Sequence, residues 1–221
     1  MDKEYWYQKW QSNDIGFNQA QPNKHMQRYF SSLKISPGSR VFVSLCGQSI
    51  DMIWLIDQGY EVVGVEISEI ACRNFFNENK IPVTITRMKD FIVYRSQKII
   101  IFCGDFFKIN QKILDKIDVV YDRAALIAMP FGARKSYSEH LMELMESVKL
   151  MFLITIKYKQ KEMQGPPFSV GEEEVSRLYS ARFDIEQLYS KKFPVPLHLS
   201  SKGLHQCLEQ VYVLTPTSLH R

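Results

Sequence analysis

The 221-residue sequence predicts an α/β fold in which a mostly parallel sheet carries helices on both faces. Residues 40–66 give the clearest signal, because they read as strand, one-glycine turn, short helix and second strand. The apolar run 41–45 is typical of a strand that is buried on both faces. Gly47 permits a tight turn, and the second strand, residues 61–67, brings Glu66 to its carboxyl end. Ligands of open α/β sheets bind at that edge.

Gly47 and Glu66 together predict a nucleoside-binding site. Their separation is 66 − 47 = 19 residues, and an acid about 20 residues past the glycine turn suits the hydroxyls of a ribose. A dinucleotide site needs three closely spaced glycines for its pyrophosphate, but no glycine follows Gly47 before Gly59. S-adenosylmethionine (AdoMet) has a ribose and no phosphate, so the turn favours it over NAD. A structural turn with an incidental glutamate is the alternative.

The remaining elements follow from apolar periodicity, helix caps such as Ser49 and Ser68, and turn residues. The predicted helices are residues 5–10, 23–33, 49–59, 68–79, 133–145 and 172–179. The predicted strands are residues 41–45, 61–67, 83–88, 91–94, 98–103, 118–122, 150–158, 183–189 and 207–214. The strands at 91–94 and 98–103 flank a polar break and predict a small hairpin.

Five parallel strands followed by a closing pair are the layout of a class I AdoMet-dependent methyltransferase, a Rossmann-like fold with a seven-stranded sheet. We therefore predict a single domain over residues 1–221. Residues 40–221 would form its core, including the C-terminal closing strands. Residues 1–35 would form an N-terminal helical lid over the site.

Composition excludes several other classes of protein. The net charge is only +4 and the basic residues are scattered, which disfavours a nucleic-acid partner. The longest apolar run, residues 150–156, is too short to span a bilayer, and the N-terminus lacks the apolar segment of a signal peptide. We expect a cytoplasmic monomer with reduced thiols and no metal site, because the spacing of the cysteines fits neither zinc nor a disulfide framework. These cysteines are Cys46, Cys72, Cys103 and Cys207.

Short motifs in a fixed order match one family across residues 6 to about 214. They are Trp10, Gly16-Phe17, Leu45-Cys46-Gly47, residues 63–68, residues 75–78, residues 104–107, residues 121–126, Arg134 with Tyr137, and residues 165–168. With these motifs the sequence resembles the thiopurine S-methyltransferase family, particularly its bacterial members. Chance agreement over so many separate motifs is very improbable.

The resemblance implies a set of cofactor contacts. In the family, the residues that match Trp10, Leu45, Glu66 and Arg123 contact AdoMet, around the turn that Gly47 makes here. Glu66 would accept hydrogen bonds from the ribose hydroxyls, as its place at the end of a strand already suggests. Trp10 would cover the methionine end from the lid.

Further residues are predicted to contact the adenine and the acceptor. Asp105 would accept from the adenine amino group, and the ring of Phe106 would pack against the base. Phe17 would form an apolar wall for a flat aromatic acceptor. Arg123 presents a donor fork that suits anions, so it would hold the methionine carboxylate, the acceptor anion, or both. A surface salt bridge with Asp122 is the alternative for this arginine.

The sequence departs from the family pattern at several positions. Ser44 replaces a frequent proline and Gln48 replaces a usual lysine, although the turn and Glu66 persist. Some members carry a C-terminal arginine near the substrate, and this chain has none between Arg182 and Arg221. Lys202 or His198 would have to replace it, but the apolar neighbours of His198 predict a packed histidine.

The resemblance implies transfer of the methyl group of AdoMet to the sulfur of an aromatic or heterocyclic thiol, leaving S-adenosylhomocysteine. Two alternatives stay open. One is detoxifying methylation of selenium or tellurium oxyanions or other small nucleophiles, for which Arg123 would serve equally. The other is a non-catalytic AdoMet-binding sensor. In each case the partner is a small molecule.

Overall fold

The computed structural model describes residues 3–217, which cluster into two compact units that meet in sequence between Val120 and Tyr121. The helices are α1 (Lys3–Gln11), α2 (Lys24–Tyr29), α3 (Asp51–Asp57), α4 (Glu69–Glu78), α5 (Gln111–Leu114), α6 (Phe131–Glu143), α7 (Glu172–Tyr179) and α8 (Leu197–Ser200). The strands are β1 (Arg40–Val43), β2 (Glu61–Glu66), β3 (Thr84–Arg87), β4 (Phe91–Arg95), β5 (Ile99–Gly104), β6 (Val119–Arg123), β7 (Leu150–Lys157), β8 (Phe183–Phe193) and β9 (Cys207–Pro216).

In the first unit the strand order is β3-β4-β5-β2-β1. Strands β5, β2 and β1 are parallel, so their carboxyl ends lie at one edge. The core of this unit contains the inward-facing residues of these strands and the apolar face of α4, where Phe76 stacks on Tyr94 with ring centroids 5.9 Å apart. The strand–turn–helix–strand prediction for residues 40–66 is confirmed.

The predicted third strand is antiparallel rather than parallel. Strand β3 pairs antiparallel with β4, and all four of its residues are exposed. Strand β5 occupies the position beside β2, and β4 lies between β5 and β3, so β3 stands at the edge of the sheet. Residues 3–217 contain nine strands, at the nine positions predicted from the sequence, so the seven-stranded sheet of the predicted fold class is exceeded by two. The hairpin of β4 and β5 is present as expected.

The second unit holds the strand order β6-β7-β9-β8. Strand β9 is antiparallel to both β7 and β8, and a bulge interrupts the last pair between Gln187 and Tyr189. These two strands are the predicted closing pair. His198, predicted to be packed, is instead exposed on α8, because the short helix turns Leu199 inward in its place.

Local chemistry explains where several helices begin. Asn23 caps α2 by accepting from the backbone N–H groups of His25 and Met26. Ser68 caps α4 through the N–H of Ala71, as predicted. Ser49 accepts weakly from Asp51 N–H at 3.3 Å, while α3 begins one residue later than a Ser49 cap would place it. Within residues 3–217, no helix combines the length and apolar character needed to cross a bilayer.

Candidate functional site

The turn after β1 is built from backbone that folds back on β2. Leu45 and Gly47 have φ angles of +46° and +54°, in the left-handed region that a bulky residue rarely adopts. The N–H of Cys46 donates to Val65 O at 3.0 Å, which ties the turn to the neighbouring strand. A positive φ at a residue such as Leu45 is strained and persists only where surrounding contacts fix it. Positions of this kind concentrate at functional sites.

Glu66 lies at the carboxyl end of β2 and is 5% exposed. Its Oε2 accepts from the N–H of Gly47 at 2.9 Å, and its Oε1 accepts from the N–H of Ser68 at 2.8 Å. Burial raises the pKa of the Glu66 carboxyl, while the N–H donors of Ser68, Gly47 and Ile67 oppose that shift. The structure therefore brings Gly47 and Glu66 into direct contact.

The base of the turn is closely packed against the middle of β2. A Cβ added to Gly64 would lie 2.7 Å from Cys46 Sγ and 3.5 Å from Ile101 Cγ1. Cys46 is 4% exposed, and burial raises the pKa of its thiol well above the ordinary value. The thiol therefore stays protonated and acts as a small apolar group beneath the turn.

Helix α1 lies on the turn. A Cβ on Gly47 would come within 3.2 Å of Trp10 Cζ2, and Trp10 is 5% exposed. Phe17 packs edge-on against both Trp10 and Trp6, with centroid distances of 5.5 and 5.6 Å. Trp10 thus contacts both Gly47 and Phe17 from the helix formed over residues 3–11, and its role as a lid stays a prediction.

Asp105 directly follows β5, at the same edge as Glu66. Its Oδ2 pairs with Lys3 Nζ at 2.5 Å, and its Oδ1 accepts from Phe107 N–H at 3.1 Å. Burial favours the neutral carboxyl, but Lys3 and the Phe107 N–H outweigh it and lower the pKa. Phe106 is 1% exposed, whereas Phe107 is the exposed ring of this turn. The side-chain roles predicted for Asp105 and Phe106 stay predictions.

These features fit the adenosine part of AdoMet. A carboxylate offers about four acceptor positions, and the N–H groups of Gly47, Ser68 and Ile67 do not use all of them. The remaining capacity suits ribose hydroxyls. Glycine at position 47 keeps the space below Trp10 open where a side chain would intrude. Among residues 3–217, no group of three His, Cys, Asp or Glu side chains has the arrangement of a metal site.

In the second unit, β6 ends in Asp122 and Arg123, which point to opposite faces. Asp122 is fully buried, accepting from Leu126 N–H at 3.1 Å and from the Tyr137 hydroxyl at 2.8 Å. Burial raises its pKa to about 6. Asp122 therefore anchors its own unit, and Arg123 is half-buried at the carboxyl end of β6.

The second unit also contains a cavity of about 690 Å³ that sequence reasoning did not identify. Its walls include Phe131, Arg134, Lys157, Tyr158 and Phe168. The Arg134 guanidinium is 3% exposed, donates through Nε to Met129 O at 3.0 Å and forms an ion pair with Glu174. The cavity adjoins two of the family-like motifs, the one around Arg134 and the one at residues 165–168.

Comparison with known proteins gives consistent matches. The family model described as thiopurine S-methyltransferase matches residues 1–217. A thiopurine S-methyltransferase of Pseudomonas syringae pv. pisi is 42% identical over 97% of this chain and 99% of its own length. One of Nitrosospira multiformis is 40% identical over 97% and 98%.

A solved structure, the 1,6-didemethyltoxoflavin N1-methyltransferase of Burkholderia thailandensis with bound S-adenosylhomocysteine, resembles this chain with a TM-score of 0.62. The two are 14% identical, and the match covers 96% of this chain and 87% of the other. At that identity the likeness shows the fold, an α/β methyltransferase fold of the Rossmann-like class.

Proposed function

This chain belongs to the thiopurine S-methyltransferase family, and from that premise we propose that it methylates the sulfur of an aromatic or heterocyclic thiol. S-adenosylmethionine is the methyl donor, and S-adenosylhomocysteine is the product. The donor supplies a methyl group on a sulfonium, which is already electrophilic. The protein's own task is to bind, align and exclude water.

One observation carries the proposal, namely the contact between Glu66 and the Gly47 turn beneath Trp10. The carboxylate is buried at the end of the middle parallel strand, and two backbone N–H groups fix its orientation. Such a carboxylate can accept from a ribose without any rearrangement of its own. The ring of Trp10 lies next to Gly47, and it would shield the same turn from solvent.

The proposed roles of the other residues follow from their chemistry. Leu45 and Gly47 shape the turn, and Trp10 covers it. Phe17, held against Trp10 by an edge-on ring contact, offers an apolar wall to a flat acceptor. Arg123 is proposed to hold the methionine carboxylate and to stabilise the incoming anion, since a guanidinium stays charged and donates as a planar fork.

The reaction does not require a general base from the protein. A heteroaromatic thiol is acidic enough to arrive largely as the thiolate, its proton having passed to solvent. The thiolate sulfur would form the new bond to the methyl carbon as the bond from that carbon to the sulfonium breaks, and the electron pair of that bond would stay on the sulfur of S-adenosylhomocysteine. Near-attack alignment of this kind contributes roughly 7–11 kcal/mol to lowering a barrier. Asp122 is not a candidate base, because both of its oxygens are engaged with Leu126 and Tyr137 inside the unit.

We also propose that the chain acts as a cytoplasmic monomer on small molecules and forms a single methyltransferase domain. The modest net charge of +4 supports a small-molecule rather than a nucleic-acid substrate. Sedimentation of the purified chain at micromolar concentration measures the oligomeric state, and a dimer would contradict that part of the proposal.

The direct test is turnover with AdoMet and 6-mercaptopurine, with the methyl thioether and S-adenosylhomocysteine quantified by mass spectrometry. We expect both products in equal amounts. Binding of S-adenosylhomocysteine without any methylated thiol would indicate a sensor instead. Parallel reactions with selenite test the oxyanion alternative. If methylated selenium forms in preference to the thioether, the acceptor is the oxyanion and not the thiol.

A further inference from the structure

Both ends of helix α1 contact residues at the carboxyl edge of the parallel strands. At one end Lys3 pairs with Asp105, the residue that follows β5, at 2.5 Å. At the other end Trp10 lies against Gly47, in the turn that follows β1. Strand β2 runs between β5 and β1. The helix therefore crosses the end of β2, where Glu66 lies.

The dimensions of the helix and the sheet agree. From Lys3 to Trp10 a helix advances about 10 Å, at about 1.5 Å per residue. From β5 to β1 is two strand spacings, also about 10 Å. Tyr7 stands four residues after Lys3 and three before Trp10, so all three share one face of α1. Tyr7 is the residue of this face that falls above β2.

The pKa of Tyr7 agrees with this position. Burial raises the pKa of Tyr7, and its proximity to Cys103, Glu66 and Asp105 raises it further, against the effect of Lys3. Cys103 is the residue of β5 that pairs in register with Glu66. Within residues 3–217 the hydroxyl of Tyr7 makes no hydrogen bond to another residue, so its donor is available.

We propose that Tyr7 is a nucleoside-binding residue whose hydroxyl hydrogen-bonds the adenosine part of the cofactor held at Glu66. The proposal rests on the AdoMet-binding function above and adds a contact from the helix that covers the site. The phenol stays protonated at neutral pH, so it acts as a donor or acceptor of a neutral hydrogen bond. Lys3 and Trp10 fix the helix on either side of it.

The test compares Tyr7→Phe with Tyr5→Phe by calorimetry. The first keeps the ring and removes one oxygen, and the second makes the same change two residues away, where Tyr5 packs against Trp6 and Lys9. The titrants are S-adenosylhomocysteine and 5′-methylthioadenosine, which share the adenosine and differ in the amino acid portion. Tyr7→Phe should weaken both by the same factor of about 3 to 10, the scale of one neutral hydrogen bond. Tyr5→Phe should change neither.

Hydrogen exchange in α1 without ligand separates contact from packing. If Tyr7→Phe speeds that exchange as much as it weakens binding, Tyr7 only holds the helix in place and the inference is overturned. Equal affinities of Tyr7→Phe and the unmodified protein for both titrants also overturn it, and leave AdoMet binding intact. If the unmodified protein binds neither titrant, the cofactor function itself fails, and this inference fails with it.

Discussion

The replacement of Glu66 by glutamine tests the core of the site with a change of a single atom. Both carboxylate oxygens accept from backbone N–H groups, one from Gly47 and the other from Ser68. An amide has only one acceptor oxygen, so Glu66→Gln must turn its NH₂ toward one of these N–H donors. The variant therefore loses one hydrogen bond to a charged acceptor and leaves one buried donor unsatisfied.

The expected loss follows from that geometry. A hydrogen bond to a charged group contributes about 1.5–3 kcal/mol, and about 1.4 kcal/mol corresponds to tenfold in affinity. The same substitution weakens the acceptor of the ribose hydroxyls, so the Kd for S-adenosylhomocysteine should rise about 10- to 100-fold. Fold stability should change less than affinity, because removing a buried charge offsets part of the lost hydrogen bonding.

Calorimetry with S-adenosylhomocysteine measures the effect, and thermal unfolding confirms that the variant is folded. Glu61→Gln is the matched control, since Glu61 begins the same strand and is exposed at its opposite end. The control should bind as the unmodified protein does. A folded Glu66→Gln variant whose Kd stays within about twofold of the unmodified protein would refute a cofactor role for this carboxylate, since the lost hydrogen bond alone predicts a larger change.

Two further predictions concern the end of β6. The pKa of Asp122 in the folded protein is raised to about 6. The contribution of this carboxyl to the free energy of unfolding is therefore greatest below the ordinary pKa of an aspartate. It falls by up to about 3 kcal/mol as the pH rises to about 6. Urea unfolding at pH 4.5 and 7 measures the change in the free energy of unfolding, and this change should be smaller in Asp122→Asn. The same change in both proteins would contradict the prediction. Arg123→Lys keeps the charge and loses the fork, so we expect the AdoMet KM to rise about tenfold for every acceptor. A fall in kcat confined to one acceptor would assign Arg123 to the acceptor instead.

The residues around β1 and β2 could be predicted from sequence because their contacts are local. A strand, a one-glycine turn, a helix and a second strand leave few ways to arrange residues 40–66, and Glu66 then meets Gly47. The direction of β3 could not be predicted in the same way. Its apolar and polar pattern is compatible with either neighbour, and only pairing with β4 decides it.

Other contacts join residues that are far apart in the sequence. Arg134 and Glu174 are 40 residues apart, and neither position alone predicts an ion pair. Phe106 is buried and Phe107 is exposed because the chain leaves β5 in a one-turn helix, which no pattern in the sequence indicates. The position proposed for Tyr7 could not be predicted either, because the sequence of α1 does not indicate which strands the helix crosses.

The contact between Gly64 and Cys46 makes two distant positions share one volume. Since a methyl group at 64 would intrude on the Cys46 sulfur, any residue larger than glycine there requires a smaller one in the turn. Relatives that differ at one of these positions should therefore differ at the other, in opposite directions of size. A redesign of the turn at position 46 therefore has to change position 64 in the next strand as well.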